Sequence, residues 1–431
     1  MNSIALYEPL QENKLYVGLG ALLLMTLQFQ TVPVPVGIQM MPLTSLLALI
    51  SVVFVIHRVE RSLLLTCIAA FVLYVIMHSL VALSLDLASG DSALRFTSWL
   101  RQIAALFAGF SVFLVLRVCL RYLSNSTIVW MVIVGSIPAM LLAFLNILWG
   151  SLGQSWAGAV VDGVRSVVAP LGYTNPLRAS GFSTEPAMFA TVIATLLLPL
   201  VFYLYFRGTK RVQTFFLMLA VLLVFAWTFS VVGVMLVLCL AFAGFVLGPK
   251  RSFFAKVGAL FLAAIIAALF LFPSNQILRH ARSLLFGQSN VSLIDRYYGL
   301  VGPFMMSYST MTMFGYGLGG TVTHFHEVLP KEVQAAVASV KWKELPNLST
   351  LVGRIFAETG VLGFALFCLF LGVAFWEYRY ARRKLPDPDD QIFLLSTRLG
   401  LIVSIISVAT ALGSFHMPYL WFWLAVIDAR Y

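Results

Sequence analysis

The segment from Arg178 to Ala190 places one cation and one carboxylate, Arg178 and Glu185, at the mouth of a long apolar run. An arginine keeps its charge at physiological pH, and its planar fork matches pairs of phosphate oxygens. A residue of this kind at the edge of an apolar run is well placed to hold an anionic head group. The segment therefore predicts an anion-binding site at the membrane surface.

Helix capping is the competing interpretation of the same segment. Pro186 suits the first turn of a helix, where its missing N–H would have no partner in any case. Ser183 or Thr184 could cap that helix, and Glu185 would then lie near its positive end. Glu185 is therefore a candidate catalytic residue with an alternative structural role.

A second basic cluster precedes a glycine-rich turn. In that turn, Gly317 and Gly319 permit positive φ, and the backbone N–H groups could bind an anion. A surface-lying amphipathic helix over 276–286 is the alternative role for the first part of the cluster. If Arg178 and this cluster lie on one side of the membrane, they favour chemistry on a lipid-linked phosphate. The arginines of this second cluster are Arg279, Arg282 and Arg296.

Two histidines, His324 and His326, follow the glycine-rich turn. An imidazole can act as a general base near neutral pH, and a His-x-His pair can ligate a metal. The sequence contains no further ligand cluster, so we expect neither a metal nor another cofactor. Both histidines are candidate catalytic residues, with a solvated loop position as the alternative.

Arg354 and Glu358 lie one helical turn apart at the entry to another apolar run. A carboxylate inside the membrane is costly and marks a functional site by default. Glu358 is therefore a candidate catalytic residue and Arg354 a candidate substrate-binding residue. An ion pair that orients the helix is the alternative.

The composition places these residues in a membrane protein. Hydrophobic residues make up 61% of the chain and charged residues only 10%, with a mean hydropathy of +0.95. Soluble domains carry about 25% charged residues, so that class is excluded. The net charge of +11 is explained by basic cytoplasmic loops, and we expect no binding of nucleic acid. The cysteines all fall inside apolar runs, where packing is their expected role.

Apolar runs recur along the whole chain and predict an all-α, polytopic fold of about 12 transmembrane helices. The least clear pair is 213–229 and 231–247, where Ser230 and Gly233 could mark a tight reversal. The expected spans are 15–31, 40–56, 62–85, 102–120, 127–149, 187–206, 213–229, 231–247, 257–272, 355–376, 393–413 and 416–429.

The distribution of lysine and arginine among the short loops predicts that both termini are cytoplasmic. The polar residues before the first apolar run suggest a retained signal anchor. The non-cytoplasmic side then holds two long connections, 150–186 and 273–354, of which the second lies between helices 9 and 10. The whole of 1–431 is expected to form a single membrane domain.

Three short motifs resemble, in their order, bacterial Wzy-type polysaccharide polymerases and the related WaaL-type O-antigen ligases. They are Arg-x-Ser-Gly-Phe-x-x-Glu-Pro from Arg178, an arginine ahead of Phe314-Gly-Tyr-Gly-Leu-Gly319, and Ala357-Glu-Thr-Gly-Val-Leu-Gly363. The resemblance covers mainly 175–365. It implies a metal-independent, inverting glycosyltransferase of the bacterial inner membrane with a periplasmic active site.

The resemblance also implies roles and partners. Carried over by motif, Arg178 and Arg296 would bind the pyrophosphate of an undecaprenyl-pyrophosphate-linked glycan. They would stabilise the charge that develops as the sugar–phosphate bond breaks. Donor and acceptor would both be lipid-linked glycans, and a chain-length regulator is a candidate partner besides membrane lipids.

The general base stays open. O-antigen ligases usually carry His-Asn shortly before the Glu-x-Gly entry to the span, whereas this chain reads Leu345-Pro-Asn-Leu-Ser-Thr350. That departure favours polymerase over ligase, and a transporter of lipid-linked sugar is a third alternative. The candidates for the base are His324, His326, Glu185 and Glu358.

Overall fold

The structure is a computed structural model that describes residues 14–34, 39–88, 92–169, 178–208, 211–248, 251–271, 296–297, 299–304, 313–322, 324 and 350–431. These residues are nearly all helical. A single antiparallel hairpin of β1 (Val32–Val34) and β2 (Gln39–Met41) interrupts the helices in the described ranges, with Val32 opposite Met41.

The helices follow the apolar runs of the sequence in the same order. Their bounds are α1 Lys14–Thr26, α2 Leu43–Val55, α3 Leu63–Ala88, α4 Ser92–Leu120, α5 Asn125–Leu152, α6 Ser155–Val168, α7 Pro186–Val192, α8 Leu198–Arg207, α9 Arg211–Trp227, α10 Val231–Leu247, α11 Arg251–Leu271, α12 Leu351–Lys384, α13 Pro388–Thr410 and α14 Pro418–Arg430. A π-helical turn, Ile193–Leu197, joins α7 to α8.

Six of the described helical segments are long and apolar enough to cross a membrane. They are Leu63–Ala88, Leu94–Leu120, Asn125–Gly150, Pro186–Arg207, Leu351–Lys384 and Pro388–Thr410. Shorter apolar helices include α1, α2, α9 and α10. The chain is thus a helical protein with membrane-spanning character, and the number of twelve crossings stays a prediction.

The predicted break between α9 and α10 is confirmed. α9 ends at Trp227, and the hydroxyl of Ser230 caps α10 by accepting a hydrogen bond of 3.1 Å from the Gly233 N–H. A side-chain cap at this position satisfies one of the free N–H groups of a helix start. The two apolar runs are therefore separate helices.

The structure corrects two predicted boundaries. α4 begins at Ser92 rather than near residue 102, and the expected loop 150–186 contains the amphipathic helix α6. Both differences arise where a buried arginine interrupts an apolar face, Arg95 in α4 and Arg165 in α6. A charged residue at an inward-facing position interrupts the apolar periodicity, so hydropathy alone does not predict the helix there.

The shortest predicted span, α14, is the centre of the bundle. Every residue from Pro418 to Ile427 is buried, and α14 packs against α4, α12 and α13. A helix that is apolar on all sides is expected to be enclosed in this way. The Trp423 indole N–H donates to the carbonyl of Thr195 (2.9 Å), which lies in the π-helical turn. This bond fixes α14 to the helix that begins at Pro186.

The bundle has two distinct ends. We call the end that holds Arg178, Glu185 and Glu358 the site end, and the end that holds Arg117 and Asp428 the opposite end. Arg95 near the start of α4 and Arg117 near its finish are about 33 Å apart along the helix axis. That length is close to the thickness of the hydrocarbon core of a bilayer.

Candidate functional site

Arg178 is held by the turn between α9 and α10. Its Nε donates to the carbonyl of Thr228 (3.0 Å) and its Nη2 to the carbonyl of Phe229 (3.2 Å). The carbonyl of Arg178 itself accepts from the Asn146 side chain (2.7 Å). Phe229 has a φ of 45°, an uncommon conformation for a bulky residue. The half-buried guanidinium is therefore fixed in place at the mouth of the bundle.

Three charges meet at this point. Burial lowers the pKa of Arg178, the negative charge of Glu185 raises it, and the positive charge of Arg296 lowers it again. Arg178 and Arg296 are far apart in the sequence, yet their charges are close enough to interact. Arg296 is half-buried and Glu185 is exposed. We call these three residues the arginine group.

Capping does not explain the polar residues before α7. The N-cap position is Glu185 itself, and it makes no side-chain capping bond. The Thr184 hydroxyl lies 3.1 Å from the sulfur of Met188, and the Ser183 hydroxyl has no hydrogen-bond partner among the described residues. The prediction that Ser183 or Thr184 caps this helix is therefore wrong.

Arg165, a residue that the sequence analysis missed, holds the loop before α7. Its Nη1 donates to the Ser180 hydroxyl and to the carbonyls of Gly181 (3.1 Å) and Ser183 (3.0 Å). Its Nη2 donates to the carbonyl of Thr184 (3.3 Å). One signal could have identified it, because Arg165 falls on the same buried stripe of α6 as Ala157 and Val161.

The glycine-rich turn packs directly on α12. The N–H groups of Tyr316 and Gly317 donate to the carbonyls of Ala357 (3.0 Å) and Glu358 (2.8 Å). These two N–H groups are therefore not available to a phosphate. Gly317 and Gly319 have φ of 73° and 74°, as the sequence predicted. The observed contribution of the turn is to position α12, and binding of substrate by Gly317 and Gly319 stays a prediction.

Arg95 fixes the other side of the turn. Its Nη1 and Nη2 donate to the carbonyls of Leu318 (2.6 Å) and Tyr316 (2.9 Å), and its Nε pairs with Asp86 (2.5 Å). Arg95 is completely buried. Arg95 was not a predicted site residue, because the predicted span began after it.

α12 breaks at Gly360, where it meets the turn. Gly360 has φ 65° and ψ −167°, and the Val361 N–H donates to the carbonyl of Met313 (3.0 Å). A Cβ atom at Gly360 would collide with the same Met313 carbonyl oxygen. Only glycine adopts this backbone conformation readily. The break exposes helical carbonyls to the N–H groups of the turn.

Arg354 and Glu358 are buried in the first segment of α12. Arg354 donates to Gln102 of α4 (2.9 Å), and Glu358 accepts from the Thr321 hydroxyl (2.8 Å). The two opposite charges also attract each other. Each residue is only 1% exposed. We call Arg354 and Glu358 the buried pair.

His416 lies beside the buried pair and was not a predicted site residue. It belongs to the connection between α13 and α14, and its Nδ1 is 2.9 Å from the Ser414 hydroxyl. Burial, followed by the positive charge of Arg354, lowers the pKa of His416 to about 4. This imidazole is therefore neutral at physiological pH.

A short helical piece connects the arginine group with the buried pair. Residues 299–304 follow Arg296, and the carbonyl of Gly299 accepts from Thr350 (2.9 Å) at the start of α12. Phe304 stacks on Phe356 with ring centroids 4.2 Å apart. The two sets of charges therefore belong to one continuous structure at the site end.

The remaining predicted residues are placed in part. His324 stacks on Tyr316, with ring centroids 4.2 Å apart, so it lies against the glycine-rich turn. His326, Arg279 and Arg282 lie outside the described residues. Within the described ranges, no three His, Cys, Asp or Glu side chains are grouped closely enough to hold a metal ion.

The arrangement at the site end combines fixed cations, one exposed carboxylate and backbone supports. Such a group can bind a phosphate-bearing molecule and can stabilise charge that develops on it. Comparison of the chain with protein-family models and with curated proteins finds no match.

Proposed function

We propose that this protein is a glycosyltransferase that polymerises undecaprenyl-pyrophosphate-linked repeat units at the periplasmic face of the bacterial inner membrane. The observation that carries the proposal is Arg178, which backbone carbonyls hold at the site end, near enough to Arg296 for the like charge to lower the pKa of Arg178. Holding two like charges together costs free energy unless an anion binds between them. In this proposal both termini are cytoplasmic and twelve helices cross the membrane.

The hydrogen bonds of Arg178 support a role in phosphate binding. A guanidinium has five N–H donors, and two of those of Arg178 are used by the carbonyls of Thr228 and Phe229. The remaining donors include both N–H groups of Nη1. They can bind two oxygens of a pyrophosphate in the bidentate manner typical of arginine.

The uncancelled charge supports a role in catalysis. Arg178 donates to carbonyl groups, which satisfy hydrogen bonds but carry no net charge. Among the described residues, Glu185 is the carboxylate whose charge offsets that of Arg178. Positive charge fixed before the reaction stabilises the negative charge that grows on the departing pyrophosphate.

We assign the general base to Glu185. It is exposed and belongs to the arginine group, whereas Glu358 is enclosed and accepts a hydrogen bond from Thr321. The Glu185 carboxylate would take the proton of the acceptor hydroxyl as the new bond from oxygen to the sugar C1 forms. The bond between C1 and the pyrophosphate oxygen breaks, and undecaprenyl pyrophosphate leaves. Inversion at C1 follows from this single displacement.

The decisive test uses the purified full chain with undecaprenyl-pyrophosphate-linked repeat unit as the only sugar substrate. We expect a ladder of glycan products and release of undecaprenyl pyrophosphate. Arg178→Ala and Arg296→Ala should each lower product formation at least about 100-fold, because each removes a group that stabilises the leaving pyrophosphate. Glu185→Gln should lower turnover while the donor still binds. Arg61→Ala, an exposed change at the opposite end, is the matched control.

Other outcomes would replace the proposal. Transfer that requires added lipid A core would identify an O-antigen ligase. Movement of lipid-linked sugar across a liposome membrane without covalent product would identify a transporter. A normal ladder from Arg178→Ala would remove that residue from the reaction.

A further inference from the structure

A basic cavity lies at the opposite end of the bundle, away from the site described above. It has a volume of about 1000 Å³ and lies among α10, α11, α12 and α13. Five arginines line it, and no Asp or Glu does so among the described residues. They are Arg251, Arg379, Arg382, Arg383 and Arg398.

The arginines of this cavity differ from their neighbours at the same end. Arg117, Arg121 and Arg207 each form an ion pair with a carboxylate. None of the five cavity arginines has an ion-pair partner in the part of the chain that the structure describes. Their charges therefore add up around one space.

The nearby carboxylates are engaged elsewhere. Asp389 binds Arg207 and the Tyr203 hydroxyl, and Asp390 accepts from Asn125 (2.6 Å). Asp387 caps the start of α13. These bonds direct the three acidic groups beside the cavity to other partners.

The excess of basic residues in cytoplasmic loops does not explain the position of Arg398. It lies inside α13, about 15 Å along the helix from Pro388, whereas orientation in the membrane requires basic residues only in loops. Its guanidinium carbon is 4.8 Å from the centre of the Tyr378 ring, and its Nε is buried with no hydrogen-bond partner among the described residues. A charged residue at such a position in a membrane helix is costly and marks a functional site by default.

Apart from Tyr378 and Gln391, the rest of the lining is apolar and includes Leu247, Ile392 and Leu395. A cavity with several arginines and an aliphatic wall matches a molecule that has a phosphate at one end and hydrocarbon at the other. Basic pockets between membrane helices bind anionic lipid head groups by this chemistry. Arginine forks suit phosphate because each can bind two of its oxygens.

We propose that this cavity binds the phosphate head group of an anionic phospholipid, with its acyl chains against the aliphatic wall. The site is separate from the arginine group and does not depend on the proposed glycosyl transfer. Its position at the end that carries the basic short loops assigns it to the cytoplasmic leaflet.

The test measures binding to the full chain in a neutral detergent. Short-chain phosphatidylglycerol, phosphatidylcholine and inorganic pyrophosphate are titrated separately, and thermal unfolding and retained lipid by native mass spectrometry are the readouts. We expect saturable stabilisation by phosphatidylglycerol with one tightly retained lipid, and none by phosphatidylcholine. Stabilisation by pyrophosphate that is lost in Arg379→Gln/Arg382→Gln would assign the cavity to a soluble phosphate compound and overturn the lipid assignment. Pyrophosphate bound by the arginine group at the site end would not respond to that variant.

Matched variants distinguish the cavity from general surface charge. Arg379→Gln/Arg382→Gln changes two exposed residues of the cavity, so folding should be preserved. Arg58→Gln/Arg61→Gln removes the same charge from exposed positions elsewhere at the same end. The cavity variant should weaken phosphatidylglycerol binding roughly 10- to 30-fold, and the control should not. Equal weakening by both variants, or no saturable binding to the unmodified protein, would overturn the proposal. Arg398→Gln should show the same loss as the cavity variant.

Discussion

The two ends of the bundle hold two of their arginines, Arg117 and Arg178, by different means. At the opposite end, Arg117 pairs with Asp428, and both side chains are almost completely buried. At the site end, Arg178 donates to two backbone carbonyls instead. A carboxylate cancels the charge of its partner, whereas a carbonyl satisfies the donor and leaves the charge in place. The same residue type can therefore stabilise the fold at one end and attract an anion at the other.

Arg95 combines both kinds of partner, as Arg117 does by also donating to the carbonyl of Glu60 (2.6 Å). Arg95 donates to two carbonyls of the glycine-rich turn and also pairs with Asp86. Its charge is cancelled, so its contribution is to position the turn. An arginine that is paired with a carboxylate thus holds the fold together, whereas an arginine that has only carbonyl partners remains available to a ligand as well.

The largest effect is expected from breaking the buried pair of charges at the opposite end. Asp428→Asn leaves the Arg117 charge buried without its partner and should destabilise the protein by about 3–5 kcal/mol. Unfolding in detergent measures this loss, and activity per folded molecule should be unchanged. The double variant Arg117→Met/Asp428→Leu should recover most of the stability. If Asp428→Asn is as stable as the unmodified protein, Asp428 does not stabilise the buried charge of Arg117.

The next effect concerns the break in α12 that supports the site end. Gly360→Ala forces a side chain into a glycine-only conformation and against the Met313 carbonyl, so we expect a loss of about 2–4 kcal/mol. Gly372→Ala is the control in the same helix, because a Cβ there meets nothing within 4 Å. Thermal unfolding should leave the control within about 0.5 kcal/mol of the unmodified protein. Equal behaviour of the two variants would argue against the break.

The stability of the protein should depend on pH through His416, which lies at the site end. The folded-state pKa of His416 is lowered to about 4, whereas an unfolded histidine titrates near 6.5. Between these values the unfolded chain binds more protons, so stability should fall as the pH falls from about 6.5 to about 4. The loss should amount to roughly 2–3 kcal/mol, and His416→Gln should remove it from the unfolding profile. An unchanged profile would mean that His416 is not buried as described.

The smallest effect on stability should come from the loop before α7. Arg165→Lys keeps the charge but cannot span four acceptors, so we expect a loss of about 1–3 kcal/mol. Hydrogen exchange of the amides in 180–184 should become faster, and product formation should fall. Exchange in α9 should not change. If activity falls without faster exchange in 180–184, Arg165 acts in some way other than holding this loop.

The positions of most helices could be predicted from the sequence, because apolar composition is a local property. The runs predicted for α9 and α10 are separate helices in the structure, and the cap at Ser230 was recognisable from its residue type. The start of α4 and the presence of α6 were missed because Arg95 and Arg165 face inward. Hydropathy alone predicts that an arginine lies at the protein surface. Arg95 and Arg165 are buried instead, because tertiary hydrogen bonds satisfy their N–H groups.

The residues of the candidate site could be predicted from the sequence only in part. Arg178, Glu185 and Arg296 were singled out by residue type and spacing, and the structure brings their charges together. Arg165 and His416 were missed, since Arg165 binds carbonyl groups that every residue carries and His416 joins the buried pair through folding alone. The inward stripe of α6 could have identified Arg165, but no residue pattern identifies the carbonyls that it binds or the position of His416 beside the buried pair.

The sequence by itself determined a helical membrane protein with arginines near the ends of its apolar runs. The reason is that a segment in contact with lipid requires apolar side chains, and this requirement is visible in the local composition. Only the tertiary structure decided what each arginine does. Arg117 meets a carboxylate from α14, Arg178 meets carbonyls from the turn after α9, and Arg398 meets an open cavity. The reason is physical, because the charge of an arginine is fixed by its chemistry, while its cancellation depends on partners brought from distant parts of the chain.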